Sequence, residues 1–346
     1  MRVLIVRIGA MGDVLHAMPA VAALRERHPD WFIGWAIEPR WSDLLQITGD
    51  PEDLSQDVGP TARGMVDRWY RVAAGDWRKR PLTSGTLKDI FALRKVMRED
   101  RFDVCVDMQG AVKSAVAGWM AGASVFVGPE EPRERIARLL YRQRVNLTAA
   151  HVVNRGCELL GAAVSEGLRP ARVTLPMDTE AEHWADGVVG RERFCLISPG
   201  GGWGAKVWPA ERLGQVAAEL GRAGVRTVVN ASVHGSPEAG EVVEASEGFA
   251  RAASCSIAQL IALVRRAGVV VAGDTGPLHL AAALERPVVG IYGPTDPVRN
   301  GPYGTRARVF RDASSATSHK RVAQTEPGML RITVDEVAAA ALEMLG

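Results

Sequence analysis

Residues 269–296 constrain the fold of this chain more than any other stretch. The apolar run Val269-Val270-Val271-Ala272 has the composition of a buried strand, and it breaks at Gly273-Asp274-Thr275-Gly276. A small apolar segment, Leu278 to Leu284, then predicts a helix, and Pro287 to Tyr292 predicts a second strand ending at Gly293-Pro294-Thr295-Asp296. Strand, polar turn, helix and strand in that order specify a crossover unit of a parallel sheet, hence an α/β fold. The first turn offers backbone N–H groups, a hydroxyl and glycines at a helix N-terminus, where an anion such as phosphate is favoured. His279, in the first helical turn, can add a donor to the same anion. Two polar turns at successive strand ends place a ligand crevice at the carboxyl edge of the sheet.

The rest of the chain repeats this plan. The strand Val3 to Val6 leads through Gly9-Ala10-Met11-Gly12-Asp13 into a helix over Val14 to Arg27, in which Pro19 should introduce a kink or shorten the first part. Strands over 32–37 and 102–107 follow, with helical patterns over 87–99 and 114–120. A composition shift near 161–190, ending in the acidic stretch 178–186, marks a domain connection. The second half restarts with a strand over 194–198 and the glycine-rich turn 199–206, then a helix over 210–223, a strand over 225–230 and turn signals at 235–237. Thr333 with Glu336 forms a capping box for a last helix over 334–345. At 346 residues there is room for two domains.

Composition narrows the function classes. A charged fraction of 24% and a net charge of +2 suit a globular protein and argue against a nucleic-acid partner for the chain as a whole. Cys105, Cys157, Cys195 and Cys255 have neither zinc nor redox spacing and read as buried free thiols of a reducing compartment. No signal-peptide pattern precedes the first strand and no apolar segment is long enough to span a bilayer, so a cytoplasmic location is expected.

Several residues have side chains suited to chemistry. Asp13 follows the first strand between glycines; it is either a helix cap or a carboxylate aimed at a ligand. His16, one helical turn on, either orients that carboxylate, touches the ligand or is packed. Gly9-Ala10-Met11-Gly12 is not the dinucleotide fingerprint, although Glu38 mimics its ribose-binding acid. Residues 200–206 miss the P-loop because Lys206 is followed by Val207. Lys206 is either a solvated lysine or a phosphate contact. The chain has no Asp-x-Asp triplet to bridge a diphosphate through a metal. A diphosphate would be held by helix N-termini, Thr275, Lys206 and His279. Arg78-Lys79-Arg80 is one basic cluster, and Arg133, Arg135, Arg138, Arg142 and Arg144 form a second. Together with Lys113 these are either solvated faces or a recognition surface for an anionic acceptor.

At these residues the chain resembles the lipopolysaccharide heptosyltransferases of glycosyltransferase family 9. The resemblance runs from the opening MRVLIVRIGAMGDVLHAMPAV through DMQGAVKSA at 107–115 and KVWP at 206–209 to DTGPLHLAAAL at 274–284 and YGPTDP at 292–297. The Gly-Asp-Val-Leu-His order and the Lys-x-Trp-Pro form are most similar to the heptosyltransferase I branch. The resemblance implies a GT-B architecture, with two Rossmann-like domains facing across a cleft. Residues 1–170 would bind the acceptor, 171–325 the nucleotide sugar, and the helix in 326–346 would cross back to the first domain. It implies an inverting, metal-independent and cofactor-free transfer of heptose from ADP-heptose to Kdo of the lipid A inner core. Asp13 matches the general base, Lys206 the diphosphate lysine, and Asp274, Thr275, Gly276 and His279 the donor loop. Glu238, after Gly235-Ser236-Pro237, matches the acid that reads the ribose, with Glu241 further on; His234-Gly235 stands where that branch has Trp-Gly. Gly12, His16, Arg78, Lys79, Arg80, Lys113 and Arg133 are the expected acceptor residues. The same basic face would attach the protein peripherally to the cytoplasmic side of the inner membrane. A related transferase with another donor sugar or acceptor, such as a heptosyltransferase II, and a non-catalytic nucleotide-sugar binder are the alternatives.

Overall fold

A computed structural model describes residues 1–45, 64–81, 83–190, 192–232, 235–318 and 320–346; His234 lies outside them. The chain divides into two units, Met1–Pro176 and Met177–Gly346. The first contains β1 (Arg2–Val6), α1 (Met11–Arg27), β2 (Phe32–Ile37), β3 (Arg68–Arg71), α2 (Ala74–Lys79), α3 (Ser84–Glu99), β4 (Val104–Asp107), α4 (Val112–Ala121), β5 (Val125–Pro129), β6 (Gln143–Val145) and α5 (Val152–Val164). Its six strands are parallel in the order β3-β2-β1-β4-β5-β6. The order reverses between β1 and β4, and the loops after these two strands therefore diverge and open a crevice.

The second unit repeats the topology. It contains α6 (Thr179–Val189), β7 (Phe194–Ser198), α7 (Ala210–Arg222), β8 (Arg226–Ser232), α8 (Pro237–Ala245), β9 (Ala250–Cys255), α9 (Ile257–Arg266), β10 (Val269–Gly273), α10 (Gly276–Ala283), β11 (Val288–Tyr292), α11 (Pro297–Asn300), β12 (Ala307–Arg311) and α12 (Val334–Leu345). The parallel order is β12-β11-β10-β7-β8-β9, with the reversal between β7 and β10. Central strands of such sheets are covered on both faces and read as continuous apolar runs rather than alternating ones. Val3 to Val6 and Val269 to Ala272 are accordingly all fully buried.

The differences from the sequence reading have local causes. α1 begins at Met11 and continues through Pro19 to Arg27. Tertiary packing outweighs the lost N–H: Val14, Met18 and Val21 are fully buried, α1 packs on α5, and the Pro19 carbonyl accepts a bond from Ala171 N–H. The acidic stretch read as a connection is α6 of the second unit, N-capped by Asp178, with Glu182 and Asp186 paired to Arg265 and Arg266 of α9. The division falls after Pro176. The last helix packs on α7, β10 and β11 of its own unit, where Val337, Ala341 and Met344 share a core with Leu213, Val216 and Ala217. All four cysteines are buried and free.

Candidate active site

In the second unit the site is built across the strand-order reversal. Lys206 ends a short 3-10 turn, Gly204–Lys206, after β7, and Asp274 follows β10. Glycines allow this approach. A Cβ on Gly204 would stand 1.8 Å from the Ala323 carbonyl oxygen, and one on Gly273 would stand 3.0 Å from the Lys206 carbonyl oxygen. With the strands side by side, the Lys206 ammonium forms an ion pair with Asp274 Oδ2, while His279 Nε2 of α10 lies 2.9 Å from Oδ1. Both oxygens of a carboxylate only 7% exposed are thus engaged. Burial alone would raise the Asp274 pKa, but the His279 hydrogen bond and charge, with the Lys206 ammonium, outweigh it and hold the carboxyl well below its ordinary range. Lys206 also sits 4.5 Å above the Trp203 ring.

The helix start beside this group is open to an anion. Thr275 occupies the N-cap of α10, but its hydroxyl turns back to the Gly273 carbonyl and no side chain caps the first amides. Gly276 and Pro277 form the first helical turn, so the backbone there is approachable. Glu238 lies elsewhere along the same edge, after β8 and in the first turn of α8, exposed and accepting a bond from Ser236 Oγ at 2.8 Å. No bond joins it to the Lys206 group among the described residues. Thr295 is a residue that sequence reasoning passed over: its hydroxyl, in the turn after β11, is buried without a hydrogen-bond partner among the described residues. The Gly293-Pro294-Thr295-Asp296 turn was the available signal, but nothing in it separates a buried hydroxyl from an exposed one.

In the first unit Asp13 stands in the first turn of α1. Its Oδ2 accepts the Ala10 N–H at 3.2 Å and its Oδ1 lies 2.8 Å from Arg7 Nη2. Its side chain remains 39% exposed. Arg7, which sequence reasoning left without a role, is held by a bond from Nη1 to the Met108 carbonyl in the turn after β4. That turn is fixed in turn by Asp107, wholly buried, which accepts from Tyr141 Oη at 2.7 Å, Ser114 Oγ at 3.0 Å and the N–H groups of Gln109 and Gly110. Burial raises the Asp107 pKa, against these hydrogen bonds. Gln109 Oε1 reaches across to Ile8 N–H at 2.8 Å. The β1 and β4 turns are therefore locked together under Asp13.

The remaining expected residues are placed less tightly. Gly12 is partly buried beside Asp13, and His16 is buried with its ring edge-on to His151 at 5.9 Å. Arg78, Lys79 and Arg80 are exposed at the end of α2, Lys79 only 3.7 Å from Asp76. Lys113 is exposed on α4, and Arg133 is exposed beside Gly110, whose Cβ would meet its backbone N at 3.0 Å. No bond links the Arg78–Arg80 group to Lys113 or Arg133 among the described residues. No group of three His, Cys, Asp or Glu side chains could hold a metal ion among those residues. No helix there is long and apolar enough to cross a membrane.

The family profile of glycosyltransferase family 9 (heptosyltransferase) matches residues 90–329. Lipopolysaccharide heptosyltransferase 1 of Escherichia coli K12 is 28% identical over 319 residues, which is 90% of this chain and 93% of that protein. Lipopolysaccharide heptosyltransferase 2 of Salmonella typhimurium LT2 is 25% identical over 338 residues, 90% of this chain and 88% of that protein. The solved structure of E. coli heptosyltransferase WaaC with ADP superposes with a TM-score of 0.78 at 25% identity, covering 99% of this chain and 100% of that one. The chain belongs to glycosyltransferase family 9, is a glycosyltransferase, and has the α/β fold with two Rossmann-like units of the GT-B class.

Proposed function

We propose that the protein transfers L-glycero-D-manno-heptose from ADP-heptose to Kdo of the lipid A inner core, with inversion and without a metal, as a heptosyltransferase of the first kind. The observation that carries the reading is the Lys206–Asp274–His279 group beside the uncapped start of α10. Cationic side chains and free amides there suit a diphosphate. Asp274, held ionised, accepts hydrogen bonds from sugar hydroxyls, and Glu238, in the first turn of the helix that follows β8, suits the ribose.

In the reaction the acceptor hydroxyl oxygen forms the new bond to the anomeric carbon as that carbon's bond to the diphosphate breaks. Asp13 takes the hydroxyl proton, a contribution of roughly 10²–10⁴-fold. The electron pair leaves on ADP, where Lys206, Thr275 and Gly276 stabilise the developing charge. Gly12, His16, Arg78, Lys79, Arg80, Lys113 and Arg133 are assigned to the acceptor, whose Kdo carboxylates and lipid A phosphates call for cations. Heptosyltransferase I is favoured over II by the Gly-Asp-Val-Leu-His and Lys-x-Trp-Pro forms at 12–16 and 206–209. Action at the cytoplasmic face of the inner membrane is part of the proposal. The test is a panel of ADP- and UDP-sugars assayed against Kdo₂-lipid A, a heptosylated core and a Kdo-free lipid A, with ADP release and product mass as readouts. Transfer only from ADP-heptose and only to Kdo₂-lipid A is expected. A preference for the heptosylated core would assign the second-heptose reaction instead.

A further inference from the structure

The first unit carries an apolar surface that its own core does not use. α3, α4 and the 3-10 turn Arg135–Leu140 lie side by side. They bury Leu93, Met97, Ala115, Met120 and Ala137 in one core against the sheet. Outside that core the same three elements leave six large apolar side chains in water, two on each: Leu87 and Phe91, Val116 and Trp119, Ile136 and Leu139. Each pair is spaced by three or four residues, so each forms a short stripe along its element. Exposure reaches 62% at Phe91, 54% at Trp119 and 80% at Leu139. Scattered single apolar residues on a surface need no explanation, but three neighbouring stripes on one layer do.

The charges around the stripes indicate what covers them. Among the acids of this layer, Glu99 pairs with Lys95, Glu130 pairs with Arg138 and Arg144, and Glu134 accepts the Val112 N–H. Lys88, Lys113, Arg133 and Arg135 are exposed and make no ion pair among the described residues, with Asp89 and Glu131 as opposing charges. An aromatic and aliphatic surface rimmed by unpaired cations is complementary to an anionic bilayer interface, where Trp and Phe enter the headgroup boundary and Lys and Arg meet lipid phosphates. We infer that the outer face of α3, α4 and the 135–140 turn is a membrane-docking surface that seats the protein on anionic lipid without an inserted helix. The choice of a bilayer rests in part on the lipid-anchored acceptor proposed above, and Lys113 and Arg133 would then serve at the rim where that acceptor emerges.

Vesicle partition reads this surface without acceptor or turnover, so it can fail separately from the proposed reaction. The purified full chain is floated with vesicles of phosphatidylethanolamine and phosphatidylglycerol, and with vesicles of phosphatidylcholine alone. Binding to the anionic vesicles, weakened by salt, is expected. Trp119→Ser with Leu139→Ser should reduce that partition by at least about tenfold, while Met177→Ser, an equally apolar exposed site on the second unit, should not. Lys88→Glu with Arg135→Glu removes the electrostatic half without touching an apolar side chain and should abolish the preference for phosphatidylglycerol. Unchanged circular dichroism and unchanged turnover on a detergent-dispersed acceptor separate lost docking from lost folding. Equal partition of wild type and the Trp119/Leu139 variant, or no binding by wild type, overturns the inference. So does a wild-type dimer that the same substitutions convert to monomer, since the face would then cover a second copy.

Discussion

Replacing Asp13 by Asn separates the structural role visible in its contacts from the general-base role proposed for it. Oδ2 receives the Ala10 N–H and Oδ1 faces Arg7, so Asp13 is a structural residue whatever else it does. Asn retains an oxygen for the Ala10 N–H. What it loses is the ion pair with Arg7, and because the Asp13 side chain is 39% exposed, solvent screening limits that loss to about 0–1 kcal/mol. For a unit of this size the melting temperature should fall by no more than about 4 °C. The catalytic loss is of a different size. A base worth at least about 10²-fold corresponds to about 2.7 kcal/mol of transition-state stabilisation, more than the structural role can supply. Arg7→Met provides the matching control, since it removes the same ion pair and leaves the carboxylate. Turnover should collapse in Asp13→Asn and fall far less in Arg7→Met, with ADP affinity unchanged in the first. Steady-state ADP release at saturating donor and acceptor, alongside thermal melts, measures both. An Asp13→Asn enzyme retaining more than about a tenth of wild-type turnover, or equal losses in the two variants, would refute the base assignment.

The buried group in the second unit makes the opposite kind of prediction. Lys206→Met leaves Asp274 with His279 as its remaining partner among the described residues, and removing one member of a largely enclosed pair costs about 3–5 kcal/mol, the lower end applying while His279 stays. A fall in melting temperature of roughly 6–12 °C should accompany the loss of ADP affinity, and adding Asp274→Asn should recover part of the stability but none of the affinity. The lowered pKa of Asp274 sets an acid limb: its stabilisation is complete above the unfolded value of about 3.9 and is lost as pH falls below that toward the folded value, so melting profiles of wild type and Asp274→Asn should diverge above about pH 4 and converge in stronger acid. Transfer should survive excess EDTA; loss of activity restored by magnesium or manganese would remove the metal-free account of the leaving group. Exposed cations at 78–80, 113 and 133 should make acceptor affinity fall with salt, over a Debye length of about 8 Å at physiological strength, while ADP affinity at the partly buried Lys206 changes less. Equal salt dependence for both ligands would deny those residues their role.

How legible the chain was depended on burial. β2, β7 and α12 were read to the residue, because apolar runs bounded by turn residues, and a capping box, leave little latitude. β3, β6 and β9 were not read: Arg68–Arg71 and Gln143–Val145 are short, and all three strands lie at sheet edges and carry an arginine at an exposed position, where solvent removes the apolar signature. Turn chemistry at the strand ends, and then the family resemblance, singled out Asp274, His279 and Lys206, and the structure brings all three together. What spacing could not convey is that 68 residues separate Lys206 from Asp274 while β7 and β10 run side by side. Arg7 and Thr295 were missed for the same reason: an arginine after a strand and a threonine in a turn acquire meaning only from neighbours distant in sequence.

The three carboxylates that end strands or open helices at these two reversals also differ in what they can do. Asp107 is wholly buried and its oxygens take four hydrogen bonds from Tyr141, Ser114, Gln109 and Gly110. It can fix the β4 turn but cannot meet a substrate hydroxyl. Asp274 is held ionised by a histidine and a lysine, and a carboxyl kept that far below its ordinary range is a poor place for a proton to go. It is suited to accepting hydrogen bonds that are never converted into proton transfers. Asp13 has one oxygen on a backbone amide, the other on an arginine anchored to the neighbouring turn, and an open face. A general base must be fixed within hydrogen-bond reach of the hydroxyl and able to hold its proton. Enclosure removes Asp107 from that role and a carboxyl held far below its ordinary range removes Asp274, so the proposed reaction assigns the proton to Asp13, whose side chain is 39% exposed, and the donor's charge to the group around Lys206.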